Sequence, residues 1–282
     1  MKTILALVSI LMVLLVVSCE KNVITFGSTD ISTASSAQVR LVYDIPVVST
    51  TALNITRLKY NNQLVSEVST AIGSIFPNSA AKYHVVPQGA VKVDAYTGTT
   101  KDVLQYSNTF TVGAGKYTAF INSLTDVPFV IKDADLFQQG DAWADTTANI
   151  QFVNLFYKSD GVTPYGKLTL KGRRGSGTTA SPYVYITIAT CNFKEASTLV
   201  PYKLLRNGIA VWSGTETGMV FTVFDDAGVQ LKYFPTTTGA LTDWTATAFS
   251  LAKGRNYIFH LNGKMGVKYA DQAIRLSTVA LD

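Results

Sequence analysis

Phe110-Thr111-Val112-Gly113-Ala114-Gly115-Lys116-Tyr117-Thr118-Ala119-Phe120 sets an aromatic-led strand against a glycine turn and a second strand carrying Tyr and Phe. The same plan returns in Phe249-Ser250-Leu251-Ala252-Lys253-Gly254-Arg255-Asn256-Tyr257-Ile258-Phe259. Each reads as a closing β-hairpin, and their recurrence predicts two copies of one β-domain. Upstream, Val39-Arg40-Leu41-Val42-Tyr43, with apolar residues at every second position, is echoed by Ile150-Gln151-Phe152-Val153-Asn154. Val91, Val93 and Ala95 keep the same period, as expected of half-buried strands. Turn signals recur at short intervals: Asn61-Asn62, Pro87-Gln88-Gly89, Thr97-Gly98, Asn207-Gly208, Asp225-Asp226-Ala227-Gly228 and Lys253-Gly254. Helical periodicity is missing throughout. The expectation is an all-β chain of two tandem immunoglobulin-like antiparallel β-sandwich domains, residues 37–140 and 141–282, joined near 134–148.

The first residues carry a different message. Lys2 is followed by an apolar run from Ile4 to Val17, broken only by Ser9, and then by Ser18-Cys19. That is an export signal over 1–18, and its run of about fourteen residues is shorter than the roughly twenty a spanning helix needs. Val16-Val17-Ser18-Cys19 resembles the lipobox of bacterial lipoproteins, so Cys19 is expected to carry lipid. Two or more acyl chains hold a protein to a membrane where one holds it only marginally. Residues 19–36, rich in Ser and Thr, read as a flexible tether. The seventeen residues 20–36 extend to roughly 55 Å at about 3.3 Å each. The expected location is the cell envelope, lipid-anchored at the outer membrane on its periplasmic or surface-exposed face.

Composition narrows the functional classes. The formal net charge of +5 is diffuse, without the clustered basic and aromatic surface that nucleic-acid binding requires. Lys171-Gly172-Arg173-Arg174-Gly175-Ser176-Gly177 lacks the Lys-Ser/Thr ending of a P-loop and reads as a solvated hairpin loop. With Cys19 committed to lipid, Cys191 is the only other cysteine, so no disulfide is available. Its β-branched surroundings make it a buried hydrophobe rather than a nucleophile partnered by His84 or His260. His260 falls on the face opposite Tyr257, Phe259 and Leu261, as a surface or hydrogen-bonded histidine. Asp133, Asp135, Asp141 and Asp145 lack calcium-loop spacing and read as a solvated acidic linker. Paired carboxylates for glycoside hydrolysis find no support, since most acids sit in turns. No pattern calls for a catalytic residue, a metal or a cofactor.

Aromatic residues supply the candidate binding positions. Trp143, Trp212 and Trp244 lie near turns or strand ends, and Tyr183 and Tyr185 alternate with Val184 and Ile186. Both tyrosine rings therefore face away from the apolar side of their strand. Trp212, Trp244, Tyr183 and Tyr185 are the expected ligand contacts of a non-catalytic binding or adhesion module for a glycan or an envelope protein. A fimbrial or assembly subunit is the structural alternative, and a glycan-active enzyme the third.

Ala37-Gln38-Val39-Arg40-Leu41-Val42-Tyr43-Asp44-Ile45-Pro46 resembles the opening strand of the bacterial extracytoplasmic family known as domain of unknown function 4397, without that family's His-Ala-Ser. Val86-Pro87-Gln88-Gly89 with Val91-Lys92-Val93, and Val112-Gly113-Ala114-Gly115-Lys116-Tyr117, resemble its two glycine hairpins. Ala148 through Asn154 reopens the pattern as the second copy does in Bacteroidetes-type relatives. The resemblance implies a β-sandwich envelope lipoprotein and transfers no active site.

Overall fold

The computed structural model describes residues 36–47, 50–76, 83–133, 147–174, 177–206, 209–210, 215–234, 239–246, 248–265 and 274–281. All belong to one compact unit, Thr33–Asp282. The expected boundary at 140/141, Cys19 and all of the tether except Ser36, which begins the first strand, lie outside the described residues. The body is all-β, with one 3-10 turn at Thr51–Leu53 and no α-helix among the described residues.

The first half runs β1 (Ser36–Tyr43), β2 (Arg57–Tyr60), β3 (Gln63–Ser66), β4 (Ser74–Phe76), β5 (His84–Pro87), β6 (Gly89–Thr97), β7 (Val103–Val112), β8 (Gly115–Ile121) and β9 (Phe129–Lys132). The second runs β10 (Thr147–Asn154), β11 (Leu168–Arg174), β12 (Val184–Cys191), β13 (Glu195–Ala196), β14 (Val200–Lys203), β15 (Leu205–Arg206), β16 (Ile209–Ala210) and β17 (Thr215–Asp225). It ends with β18 (Lys232–Tyr233), β19 (Thr242–Asp243), β20 (Phe249–Ala252), β21 (Asn256–Asn262) and β22 (Arg275–Leu281).

Each half forms two sheets in the same order. The first has β4-β1-β8-β9, with β5 beside β4 along β1, and β3-β2-β6-β7; the second has β13-β10-β21-β22, with β14 on β10, and β12-β11-β17-β20. The small β15-β16 and β18-β19 ladders have no counterpart in the first half among the described residues. Most ladders are antiparallel, but β1 runs parallel to β8 and β10 parallel to β21. Asn61 and Asn62, at φ 49° and 67°, close the β2-β3 hairpin in the doubly left-handed geometry that suits strand twist.

The glycine turns expected to close hairpins do otherwise. β7 pairs with β6, whereas β8 pairs with β1 and β9. β20 likewise pairs with β17 and β21 with β10 and β22. At Pro87-Gln88-Gly89, too, the chain passes from β5 on β1 to β6 on β2 and β7. These turns are arches that carry the chain from one sheet to the facing one. Gly89, Gly115 and Gly254, at φ +104°, +119° and +74°, allow the change of direction.

Three apolar clusters separate four sheet layers. Val39, Leu41 and Tyr43 of β1 pack with Leu58, Val91, Val93 and Phe110 inside the first half. Ile150 and Phe152 of β10 pack with Leu170, Phe221, Trp244 and Phe259 inside the second. The opposite faces of the inner sheets meet in a third cluster of Val42, Phe120, Ile131, Val153, Leu155, Ile258, Val279 and Leu281. β1 and β21 are therefore buried on both faces, not half-buried as their alternation predicts.

Polar residues on those faces find partners both within their own half and across the join. Arg40 donates from Nε to Thr118 Oγ1 (2.8 Å), from NH1 to the Ala280 carbonyl (2.8 Å) and from NH2 to Asp133 Oδ2 (3.3 Å). Asp133 also accepts from Tyr83 (2.6 Å) and Thr118 (2.7 Å). It is thus buried rather than part of a solvated linker, because Arg40 draws its charge inside. Asp135, Asp141 and Asp145 fall outside the described residues. His260 Nδ1 lies 2.7 Å from Asp44 Oδ2, both fully buried, and Asn122 donates to the Tyr157 hydroxyl at 2.7 Å. His260 is the hydrogen-bonded histidine of the two expected kinds, hidden because the opposite face is covered by the other half.

Candidate functional site

The outer sheet β12-β11-β17-β20 turns one face to its core and the other to solvent. Leu168 and Leu170 of β11, Cys191 of β12, and Phe221 and Val223 of β17 point inward. The alternation then sends Thr169, Lys171 and Arg173 outward beside Tyr185, Thr187 and Thr190 of β12 and Phe224 of β17. The register sets Arg173 opposite Tyr185, Lys171 opposite Thr187 and Thr169 opposite both Thr190 and Phe224. Lys171 through Arg174 are thus strand residues. The solvated loop expected there can begin only after Arg174, and residues 175–176 lie outside the described residues.

Tyr183 and Tyr185 are exposed, at 44% and 38%. The Arg173 guanidinium lies 4.3 Å from the centre of the Tyr183 ring. Lys171 Nζ stands 4.0 Å from the centre of Phe224, and the Tyr185 ring meets Phe224 edge-on at 5.3 Å. These contacts order the exposed side chains, each cation over a ring contributing about 0.5–1 kcal/mol at such sites. Gly177, at φ +75°, makes the room: a Cβ there would lie 2.6 Å from the Tyr183 ring. The Tyr185 hydroxyl is 3.5 Å from Gln230 Oε1, and Gln230 donates to the Trp244 carbonyl at 2.8 Å. The outer aromatic row is thereby tied to the core beneath it.

Of the four expected ligand contacts, the structure brings Tyr183 and Tyr185 together on this face. Trp244 is a correction: at 5% exposure it is a core residue, packed among the residues between the two sheets of its half. It follows a short strand at an irregular turn, and the chain there folds under the sheet edge, its amide donating to the Leu231 carbonyl at 2.7 Å. Trp212 and Trp143 lie outside the described residues. Sequence reasoning missed Phe224, Lys171 and Arg173 as members of the face. Their alternation with inward residues was a usable signal, but the pairing of β11 with both β12 and β17 was not visible.

Elsewhere Cys191 and His260 are enclosed, and His84 is half-buried. Burial pushes the Cys191 thiol up to about 12, and its Sγ lies 3.6 Å from the Phe152 carbonyl. A thiol so raised is not a thiolate at neutral pH. His260 Nε2 has no hydrogen-bond partner among the described residues, so its pairing with Asp44 activates no hydroxyl or thiol there. His84, its pKa lowered by burial, stacks edge-on against Tyr60 at 5.6 Å. No helix of the described residues is long and apolar enough to cross a membrane.

No protein-family model and no curated protein matches the chain. Among solved structures, 87% of the chain is similar to 98% of a Bacteroides ovatus protein described as a "putative cell adhesion protein", at 10% identity and a TM-score of 0.23. Another 83% match covers 26% of a leucine-rich repeat protein from Bacteroides thetaiotaomicron, at 11% identity and a TM-score of 0.17.

Proposed function

We propose that this chain is a lipid-anchored envelope protein whose β-sandwich body is a non-catalytic binding or adhesion module for a glycan or an envelope partner. The observation that carries the reading is the ordered, exposed row of Tyr183 and Tyr185 on a rigid outer sheet, each ring held by a neighbour rather than left mobile. Rings fixed before contact lose little entropy on binding, and aromatic contacts dominate many interfaces for that reason. Cys19 behind an export signal, with a tether of Ser and Thr, supports display of this face away from a membrane. The alternating opening strand and its echo support kinship with domain of unknown function 4397.

A glycan array probed with the full-length chain in detergent tests the module. Binding to at least one glycan, lost in Tyr183→Ala/Tyr185→Ala without change in melting temperature, is the expected result. Undiminished binding in that variant removes this face from the reading, and silence across the array removes the glycan. For the anchor, fatty-acid labelling should disappear in Cys19→Ala.

A further inference from the structure

We infer that the outer face of β12-β11-β17-β20 is a site for an acidic glycan, one bearing carboxylate or sulfate groups along a chain of sugars. The inference rests on the binding-module reading and names the chemistry of its ligand. Its observation is charge without compensation: neither Lys171 nor Arg173 has a carboxylate within 4.0 Å among the described residues, although Lys167 and Lys232 nearby do. The two cations rest on Phe224 and Tyr183 instead. A ring beneath a cation fixes its position and leaves its hydrogen-bond donors open to the solvent side.

Arg173 and Lys171 stand two residues apart on one face of a strand, roughly 7 Å along it. That is of the order of one sugar ring in a chain, so successive charged sugars can meet them in turn. The Tyr185 hydroxyl and the paired hydroxyls of Thr169 and Thr190, 2.9 Å from each other, offer donors and acceptors of the kind sugar hydroxyls use. A nucleic acid would ask for a longer row of cations, since its affinity rises with each phosphate neutralised. Two uncompensated cations among hydroxyls and rings suit a sparser anion.

The test measures binding of the full-length chain, in detergent, to immobilised polygalacturonate, dextran sulfate, neutral dextran and duplex DNA. The expected result is binding to one or both acidic glycans, weakened by salt and reduced at least about tenfold in Lys171→Gln/Arg173→Gln. The charge-keeping Lys171→Arg/Arg173→Lys should retain most of it. Arg57→Gln/Lys59→Gln, on the outer sheet of the first half, should leave it unchanged. Binding that survives loss of Lys171 and Arg173 overturns the site, and so does equal loss in the first-half variant. Binding to neutral dextran that depends on Tyr185 but not on salt overturns the acidic ligand while sparing the binding module. Binding to DNA as tight as to the acidic glycans makes this a general polyanion face and overturns the glycan. Retention of none of the four overturns the inference, and the array then decides the broader reading separately.

Discussion

The two outer sheets share a strand order and treat most of their charge differently; Lys59 of the first, 5.4 Å from the centre of the Tyr96 ring and with no carboxylate within 4.0 Å among the described residues, is the exception. On β3-β2-β6-β7 of the first half, Arg57 pairs with Glu67 at 2.9 Å, Lys101 with Glu67 at 3.5 Å and Lys92 with Asp94 at 3.1 Å. Glu67 is held below the usual carboxylate value, chiefly by the hydrogen bond from Arg57 and the nearby Lys101 charge. On β12-β11-β17-β20, Lys171 and Arg173 occupy comparable outward positions and lean on aromatic rings instead. Inward residues of both halves must fill a core, which keeps them apolar and alternating. Outward residues answer only to solvent or to a ligand, so they are free to diverge. A neutralised face rests in water, while an uncompensated one attracts opposite charge.

That contrast assumes two halves with a common, firmly held frame, and the largest effects should come from breaking it. Trp244→Ala empties part of the second core and should cost roughly 3–5 kcal/mol of unfolding free energy in urea titration, whereas Tyr185→Ala on the outer face should cost less than about 1. Equal losses would place both aromatics in the core and end the case for a binding face. Asp133→Ala should come next, at about 3 kcal/mol, because Arg40 keeps its charge in a fully buried position after its partner is gone. Arg40→Met/Asp133→Leu should recover much of that loss, since it removes both charges. In the second half the position echoing Arg40 is Gln151, which is uncharged and donates to the Ser197 carbonyl at 2.9 Å.

A smaller effect belongs to the frame directly beneath the candidate face. Gly172 is buried on β11 against the ring and hydroxyl of Tyr202, so a Cβ there forces that ring to move. Gly172→Ala should cost roughly 1–3 kcal/mol and shift the near-ultraviolet circular dichroism of the tyrosines. Binding by the folded variant should weaken as well, because Gly172 sits between Lys171 and Arg173 on the strand.

How much of the fold and the face is legible in the sequence depends on how local each signal is. Alternation in Val39-Arg40-Leu41-Val42-Tyr43 assigns Leu41 to a core because the pleat decides it within five residues. Alternation says equally that Arg40 and His260 face the other way, but not that the other half covers them; Arg40 reaches the Ala280 carbonyl across 240 residues, and His260 meets Asp44 across 216. Gly115 announces a change of direction without naming the next partner, so an arch and a hairpin look alike. Trp244 lies beyond the reach of any period, on an irregular stretch between short strands. At the candidate face, the outward set of Tyr183 and Tyr185 was readable from one strand. Phe224 and the two cations required knowing that β11 lies between β12 and β17, a fact of pairing and not of sequence spacing.

The finest prediction tries to erase the difference between the two outer sheets. Glu67→Gln removes the carboxylate shared by Arg57 and Lys101, both partly exposed, and leaves two more cations uncompensated on the first half beside Lys59. Surface pairs of this kind contribute little to folding, so the urea midpoint should not move. The chain should nevertheless elute from a dextran sulfate column at a modestly higher salt concentration than the wild type. Acidification should act in the same direction: with its folded pKa depressed, Glu67 provides its compensation fully above the ordinary value of 4.5 and loses it as pH falls through the lowered value. The wild-type chain should therefore approach the Glu67→Gln variant in retention at low pH, and the variant itself should respond less to that pH change. A variant that elutes with the wild type at every pH would mean that missing carboxylates are not what separates the two faces. The stacked geometry of Lys171 on Phe224 and Arg173 on Tyr183 would then have to account for the difference alone, and Phe224→Leu, which keeps Lys171 but removes its ring, would become the decisive variant.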